Sequence, residues 1–341
     1  MFTFGGLKKK KGYKIFSMSS KDQIIAPIQE ELINFEPYFK KATKSDLPLL
    51  SNIINYILRR KGKQMRPMLV FLTAKLNGDF NERTFHAALT IELLHTATLV
   101  HDDVVDDSYQ RRGFFSVNAV WKNKIAVLVG DFILAKGLLW SIDHKDYDIL
   151  GHISTAVKDM SEGEILQIEK ARKLDITEAV YFEIIRKKTA SLLATSAAVG
   201  TCSVTTDIEV IERMRLFGEY AGMAFQIKDD LFDYQKSNVI GKPTGNDLRE
   251  KKITLPLIHA LNQVGSSEKS RILKIVRKRT KTSADLREVR DFVEAQGGFT
   301  YAETVMHEYV EKAIGQLANY PESEVKTALI GYVNYISSRI S

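Results

Sequence analysis

The residues in this sequence whose types and spacing could do chemistry are two clusters of aspartates. The pattern DDxxD occurs twice, each time directly after an apolar helical run: Asp102, Asp103 and Asp106, then Asp229, Asp230 and Asp233. Residues four apart share a face of a helix, and crowded carboxylates need a compensating positive charge. Hard oxygen ligands suit Mg²⁺, which keeps open positions for phosphate oxygens. The two clusters therefore predict Mg²⁺ ions that hold a diphosphate between facing helices.

A set of basic residues accompanies the aspartates. Each of them alone would be interpreted as a surface charge, and the histidine alone as a core residue, but guanidinium and ammonium groups gathered near an interhelical cleft bind phosphate oxygens. The set predicts a second, metal-free phosphate site and further contacts to the metal-bound diphosphate. Its members are Lys63, Arg66, His95, Arg111, Arg112, Lys188 and Lys242.

Helical periodicity dominates the rest of the chain and predicts an all-α protein. In LLSNIINYILRR the apolar residues recur at helical spacing, and MLVFLTAKL is apolar nearly all round, which indicates a buried helix. A long helix is predicted from about Glu82 through the first aspartate cluster. Other helices are predicted over 124–140, 147–172, 177–199, 208–234, 254–263 and 301–318. We predict one helical domain over residues 18–341, without internal repeats.

The segment QKSNVIGKPTGNDLREKKITLP, residues 235–256, is the longest stretch without a predicted helix. A loop of this length inside a compact helical domain is often functional. We expect residues 235–253 to act as a lid that keeps water from a reactive intermediate.

Composition limits the class of protein. The chain has 341 residues, 44% of them hydrophobic, and one cysteine, Cys202. A single cysteine excludes a disulfide framework and a thiolate zinc site and suits a reducing compartment, so we expect a cytoplasmic protein. No uninterrupted apolar stretch approaches the roughly 20 residues that a membrane span needs. The net charge of +7 includes five lysines within residues 1–17, so the nearly balanced remainder gives no support for nucleic-acid binding.

The basic tail, residues 1–17, has two interpretations. It is expected to be disordered, and its lysines could attract it weakly to an anionic membrane. Alternatively the tail has no role, or translation starts at Met18; we favour this second interpretation because runs of charge are usually only solvated.

The ordered set of motifs resembles the trans-isoprenyl diphosphate synthases, most closely the long-chain octaprenyl and solanesyl type. The motifs are GKQMRP, the run ending HDDVVDD, RRG, GDFILAKG, EGEILQ, KKTAS, FQIKDDLFD, GKPTGND and EKKITLPLI, and they stand in family order from about Met18 onwards. The resemblance implies an isoprenoid synthase-type helical bundle around a deep central cavity. It also implies a homodimer and a Mg²⁺-dependent, head-to-tail condensation of isopentenyl diphosphate with an allylic diphosphate such as farnesyl or geranylgeranyl diphosphate.

The resemblance also implies a role for each matching residue. Asp102, Asp106 and Asp229 would be the main ligands of three Mg²⁺ ions, supported by Asp103, Asp230 and Asp233. Arg111, Lys188 and Lys242 would bind the allylic diphosphate, and Lys63, Arg66, His95 and Arg112 would bind isopentenyl diphosphate. Thr189 and Gln226 would line the reacting centre with Lys188 and Lys242. The motif departs from the family pattern only in Asp107, which we expect to be an additional charge outside the ligand set.

Product length is predicted from the residues before the first cluster. Ala97 and Thr98 lie one helical turn before Asp102, where family members with short products carry bulky aromatic residues. Small side chains here predict an open tunnel and a product of about C30 to C50, because each added isoprene needs roughly one turn of depth, about 5.4 Å. Alternatively, Ala97 is only a helix former at a tight contact. If the tunnel does not pass Ala97, its floor lies deeper, for example among Phe132, Leu134 and Leu138 of the following helix. The alternative function is that of a short-chain synthase, with a geranylgeranyl or farnesyl diphosphate product.

Three other functions fit the sequence less well. A terpene cyclase would carry a different second metal motif and would need no isopentenyl diphosphate site. A non-catalytic subunit of the same fold would be expected to lose acidic ligands. A nucleic-acid or membrane-surface binder built on the tail would leave both DDxxD clusters unexplained.

Overall fold

Helices make up almost all of the regular structure, which confirms the all-α prediction. The computed structural model describes residues 20–59, 62, 64–111, 113–234 and 245–338, and the basic tail lies outside them. The described helices are α1 (Ser20–Ile25), α2 (Gln29–Ala42), α3 (Pro48–Leu58), α4 (Met65–Asn77), α5 (Glu82–Val105), α6 (Val117–Asp143), α7 (Tyr147–Lys173), α8 (Glu178–Ile185), α9 (Ser191–Cys202), α10 (Ile208–Tyr234), α11 (Asn246–Arg249), α12 (Leu255–Asn262), α13 (Ser266–Arg277), α14 (Ser283–Ala295), α15 (Gly298–Gly315) and α16 (Glu324–Ser338).

Three short elements complete the regular structure of the described residues. A 3₁₀ turn, Ala26–Ile28, joins α1 to α2, and a π-helical turn, Arg186–Ala190, joins α8 to α9. A two-stranded antiparallel hairpin follows α5 and consists of β1 (Gln110–Arg111) and β2 (Phe114–Phe115).

The centre of the bundle is formed by helices that are apolar all round. Every residue from Leu192 to Cys202 of α9 is buried, and so is every residue from Pro67 to Ala74 of α4, which the sequence predicted to be a buried helix. Around this centre α10 packs against α9 and α15, while α5 packs against α4 and α6. Both DDxxD motifs thus lie at the C-terminal ends of helices fixed by the core.

Helix α5 ends within the first aspartate cluster instead of running through it. It begins at a capping box formed by Asn81 and Thr84, and its last helical residue is Val105. Asp106 is the C-cap, and Asp107 adopts a left-handed conformation with φ of 48°. The N–H of Asp106 still donates to the carbonyl of Asp102 at 2.8 Å, so the two keep their helical relation.

Helix α6 is long and apolar enough, by length and composition alone, to cross a membrane, which the sequence analysis did not expect. Its best window of 18 residues has a mean hydropathy of 1.9, and 33% of that window is buried. A core helix of a soluble protein passes the same test, so this is weak evidence for a span. The helix bends at Lys122, where φ is 72°.

Several predicted segments differ in detail from the structure. The helix predicted over 124–140 is α6, which begins at Val117 and ends at Asp143. The single helix predicted over 177–199 is divided into α8, the π turn and α9, and the helix predicted over 301–318 begins at Gly298 and ends at Gly315. The predicted lid segment contains α11, while residues 235–244 lie outside the described part of the chain.

Candidate active site

The second aspartate motif is held by a buried chain of hydrogen bonds. The hydroxyl of Tyr181 on α8 donates to Asp230 Oδ2 at 2.6 Å, and Gln226 Nε2, one turn earlier on α10, donates to Asp230 Oδ1 at 2.7 Å. Burial, followed by the charge of Asp247, raises the pKa of Asp230 well above its ordinary value. Both oxygens of Asp230 are therefore engaged by protein donors, which agrees with a supporting role.

The π turn brings Thr189 to the same chain of bonds. The hydroxyl of Thr189 donates to Gln226 Oε1 at 2.7 Å. The two elements approach closely because α10 carries Gly222, where a Cβ atom would lie only 2.6 Å from the Cα of Ala190. Thr189 and Gln226, which the sequence placed together at the reacting centre, are thus in direct contact.

Asp247 joins this motif from α11, within the predicted lid segment, and the sequence analysis did not identify it. Its N–H donates to Asp233 Oδ2 at 3.0 Å. Burial, followed by the charge of Asp233, raises the pKa of the Asp247 carboxyl to about 7, and Asp229 contributes to the same effect. Asp247 therefore adds a further carboxyl group near Asp233 and Asp229. The available signal in the sequence was the motif GKPTGND, whose last residue is Asp247.

The first motif presents its three aspartates differently. Asp103 is buried, while Asp102 is half-buried and Asp106 is exposed. The side chain of Asn118 at the start of α6 donates to the carbonyl of Asp103 at 3.0 Å and anchors the end of α5. Asp102 and Asp106 therefore face outward as candidate ligands, and Asp103 faces the bundle.

Lys252 lies near carboxylates of both regions, and it too was missed by sequence reasoning. Burial lowers the pKa of Lys252, but the hydrogen bond that it donates to Glu250 and the charges of Glu250, Asp247 and Asp106 raise it above the ordinary value. The protonated form of Lys252 is therefore stabilised by carboxylates from the end of α5 and from the segment that binds Asp233.

The predicted basic set is brought together in part. Arg66 Nη1 lies 2.9 Å from His95 Nε2, and because a guanidinium can only donate, this ring nitrogen accepts and the histidine is neutral in this contact. Lys188 pairs with Glu164 of α7. Arg111 lies in β1 opposite Phe114, with nothing described of its side chain. Lys63, Arg112 and Lys242 lie outside the described residues.

The predicted product-length residues lie on the buried face of α5. Ala97 is 1% exposed, and the hydroxyl of the half-buried Thr98 donates to the carbonyl of His95 at 2.9 Å. Their small side chains are consistent with an open tunnel and equally with a tight helix contact, so the tunnel stays a prediction.

The carboxylates fit Mg²⁺ in chemistry, although they do not form a complete cage. Across the described residues, no three His, Cys, Asp or Glu side chains are grouped closely enough to hold a metal ion. Mg²⁺ is commonly held by one or two carboxylates together with water and substrate phosphates. Burial, followed by the charges of Asp233 and Asp229, raises the pKa of Asp247, and a cation bound at these carboxylates would favour their ionised forms.

A groove of about 750 Å³ between α7, α9 and α10 lies apart from this chemistry. None of the predicted site residues lines it. Two of its charged lining residues, Arg215 and Glu219, form an ion pair, and two pair with residues outside it: Arg215 with Glu212, and Asp148 with Arg83.

Comparisons with known proteins identify the family of this chain. The sequence model of the polyprenyl synthetase family matches residues 47–293. An all-trans-nonaprenyl-diphosphate synthase (geranyl-diphosphate specific) from Rhodobacter capsulatus is 35% identical over 324 residues, which cover 94% of this chain and 98% of that protein.

Solved structures give the same family and two kinds of product. A polyprenyl synthase from Caulobacter crescentus, complexed with calcium and isoprenyl diphosphate, has a TM-score of 0.87 at 30% identity and covers 98% of this chain and 100% of that one. A geranylgeranyl pyrophosphate synthase from Bacteroides thetaiotaomicron has a TM-score of 0.81 at 39% identity, with 94% and 100% covered.

Proposed function

The chain belongs to the polyprenyl synthetase family, and we propose that it extends an allylic diphosphate with isopentenyl diphosphate to a long-chain trans-polyprenyl diphosphate. Membership makes the chain a prenyltransferase, as its motifs predicted. The observation that carries the proposal is the family match over residues 47–293, which includes both DDxxD motifs at the C-terminal ends of α5 and α10. Two acidic motifs around one space are what a site for a metal-bound diphosphate requires.

We propose that Asp102, Asp106 and Asp229 hold Mg²⁺, with three ions in the complete site, and that Asp103, Asp230 and Asp233 support them. Bound Mg²⁺ would neutralise the charge that develops on the departing diphosphate. The Tyr181 hydroxyl and the Gln226 amide fix Asp230, so that the carboxylate is oriented before substrate arrives.

The other residues act on the two substrates. Lys188 and Lys252, with Arg111 and Lys242, would bind the allylic diphosphate and favour cleavage of its C1–O bond. The Arg66–His95 pair, with Lys63 and Arg112, would hold isopentenyl diphosphate so that its double bond attacks C1. The proton lost from the new chain would pass to the released diphosphate. The condensation needs no protein nucleophile. Thr189 and Gln226, whose side chains are hydrogen-bonded to each other, would line the reacting centre.

The long product is supported by Ala97 and Thr98 and by the nonaprenyl synthase to which the chain is similar over nearly its whole length. Quinone side chains are one use for such products. A second candidate is a geranylgeranyl-length product, because a structure with that function shares 39% of its residues with this chain. The long-chain and geranylgeranyl candidates differ only in where the tunnel ends, because the reaction at the diphosphate is the same.

The exposed apolar face of α6 supports a homodimer. Val120, Val127, Leu128, Leu139 and Ile142 are between 41% and 55% exposed on this one helix. Exposed apolar surface of this extent marks an interaction site. A second copy of the chain meeting α6 with its own α6 would bury both faces by two-fold symmetry.

We further propose that residues 18–341 form one catalytic domain and that the enzyme is cytoplasmic. The tail, residues 1–17, would contribute at most a weak peripheral contact with membranes. Activity that survives its removal would support this division of the chain.

The reaction is tested by incorporation of labelled isopentenyl diphosphate with farnesyl diphosphate as primer, with and without Mg²⁺. Asp229→Asn should abolish incorporation, while Asp291→Asn, on the surface of α14, should leave it unchanged. Incorporation that is unaffected by Asp229→Asn would contradict the proposed site.

A further inference from the structure

Lys188 is held by a carboxylate on another helix. Its ammonium forms an ion pair with Glu164 Oε2 of α7. Gln167, one turn further along α7, donates from Nε2 to the other oxygen, Glu164 Oε1, at 3.4 Å. The side chains of Lys188 and Glu164 are only 27% and 21% exposed, so the pair is partly shielded from water.

The backbone makes this contact possible. A Cβ atom at Gly163 would lie 2.7 Å from the N atom of Lys188 and 2.9 Å from the Cβ of Lys187. Glycine at this position lets α7 lie directly against the π turn. Glu164, the next residue on α7, then reaches the ammonium of Lys188.

The same turn faces the site of the allylic diphosphate. Thr189 follows Lys188 and is bonded to Gln226, which in turn donates to Asp230. Lys188 therefore belongs to a segment with a fixed carboxylate on one side and the second aspartate motif on the other. Its single ammonium has two competing anionic partners when a diphosphate is bound.

We propose that Glu164 is the resting counter-ion of Lys188 and competes with the allylic diphosphate for its ammonium. This rests on the proposed function, in which Lys188 binds the diphosphate. Glu164 keeps Lys188 ordered and neutralised in the free enzyme and releases it when the more highly charged diphosphate arrives. Glu164 is thus a positioning residue that limits the affinity for substrate and for the inorganic diphosphate product, which favours product release.

The chain offers a matched control on the same two elements. Lys187, the neighbour of Lys188, pairs with Glu162 of α7 at 2.9 Å. Glu162→Gln removes the same charge from the same helix and breaks the same kind of ion pair, but at a lysine that has no role in the site. Any general effect of lowering the negative charge of α7 appears in both variants.

The test is calorimetric binding of inorganic diphosphate in the presence of Mg²⁺, which needs no turnover. Glu164→Gln should bind diphosphate about three- to tenfold more tightly than the wild type, because a partly shielded ion pair no longer competes. Glu162→Gln should change the affinity less than twofold. In a Lys188→Ala background, Glu164→Gln should have no effect, because the competition acts through that ammonium.

Kinetics supply a second readout. Glu164→Gln should lower KM for the allylic diphosphate by a similar factor, with kcat unchanged or reduced if product release limits turnover. If Glu164→Gln binds diphosphate only as tightly as Glu162→Gln does, or more weakly than the wild type does, the proposed competition is wrong. If Lys188→Ala binds diphosphate as well as the wild type, the proposed role of Lys188 itself is wrong, and the competition is overturned with it.

Discussion

The hydroxyl of Tyr181 donates a hydrogen bond of 2.6 Å to the carboxylate of Asp230, and both side chains are buried. The bond joins α8 to the C-terminal end of α10. Partners of this kind orient carboxylates around metal ions, and their loss typically costs metal affinity or activity. It is therefore the contact by which the bundle sets the geometry of the second aspartate motif.

Tyr181→Phe should raise the Mg²⁺ concentration needed for half-maximal activity by about tenfold, because Asp230 loses one of its two fixed donors. The measurement is a Mg²⁺ titration of condensation activity at saturating substrates. The control is Tyr301→Phe, which removes a hydrogen bond of the same length, 2.6 Å, from Tyr301 to Glu178 outside the motif. Equal Mg²⁺ requirements in both variants would exclude this role for Tyr181.

Asp247→Asn should weaken binding of a divalent cation by about tenfold, because a carboxylate close to Asp233 and Asp229 is lost while the N–H that binds Asp233 is kept. Binding of Mn²⁺ in the presence of inorganic diphosphate can be followed by electron paramagnetic resonance. Asp175→Asn, which alters a surface ion pair with Lys170, is the control. An unchanged Mn²⁺ affinity would show that Asp247 does not belong to the site.

Gly163→Ala should lower kcat by about 100-fold, because the added methyl group must displace the π turn that carries Lys188 and Thr189. Gly151→Ala on the same helix meets no atom within 4 Å and should retain full activity. Thermal unfolding of both variants separates a displaced site from a failure to fold. A fully active Gly163→Ala would mean that the turn tolerates the shift.

Ala97→Tyr should shorten the product, because the new side chain would lie across the predicted tunnel about one turn below Asp102. Since Ala97 is buried, Thr98→Phe at the half-buried neighbouring position serves as a second variant. Products are sized by mass spectrometry after removal of the diphosphate. If both folded variants still make the parent length, the tunnel does not pass this face of α5.

The helices that carry the motifs were predictable because their patterns are long and strongly periodic. Helix α10 has the predicted bounds, and α5 begins at the predicted residue. The end of α5 at Val105, with Asp106 as its C-cap, was not predicted. A run of aspartates contains no glycine or proline that would mark the residue at which the helix ends. The residue types and order of the motifs were sufficient to identify the family.

The parts that were missed depend on contacts between distant segments. The π turn requires the close approach of Gly163 and Gly222 to one short stretch, which helical periodicity does not encode. The hairpin of β1 and β2 has only two residues in each strand, too few to produce an alternating pattern. Asp247 and Lys252 join the site only because the C-terminal part of the predicted lid segment returns to the end of α10.

The most direct test of the account is the product formed by the purified chain from farnesyl diphosphate, labelled isopentenyl diphosphate and Mg²⁺. The account predicts a ladder of polyprenyl diphosphates that ends between about C30 and C50, because small residues at positions 97 and 98 leave depth for many turns of chain. A product that stops at about C15 or C20 would retain the reaction and contradict the open tunnel. No elongation, with diphosphate binding intact, would contradict the proposed function itself.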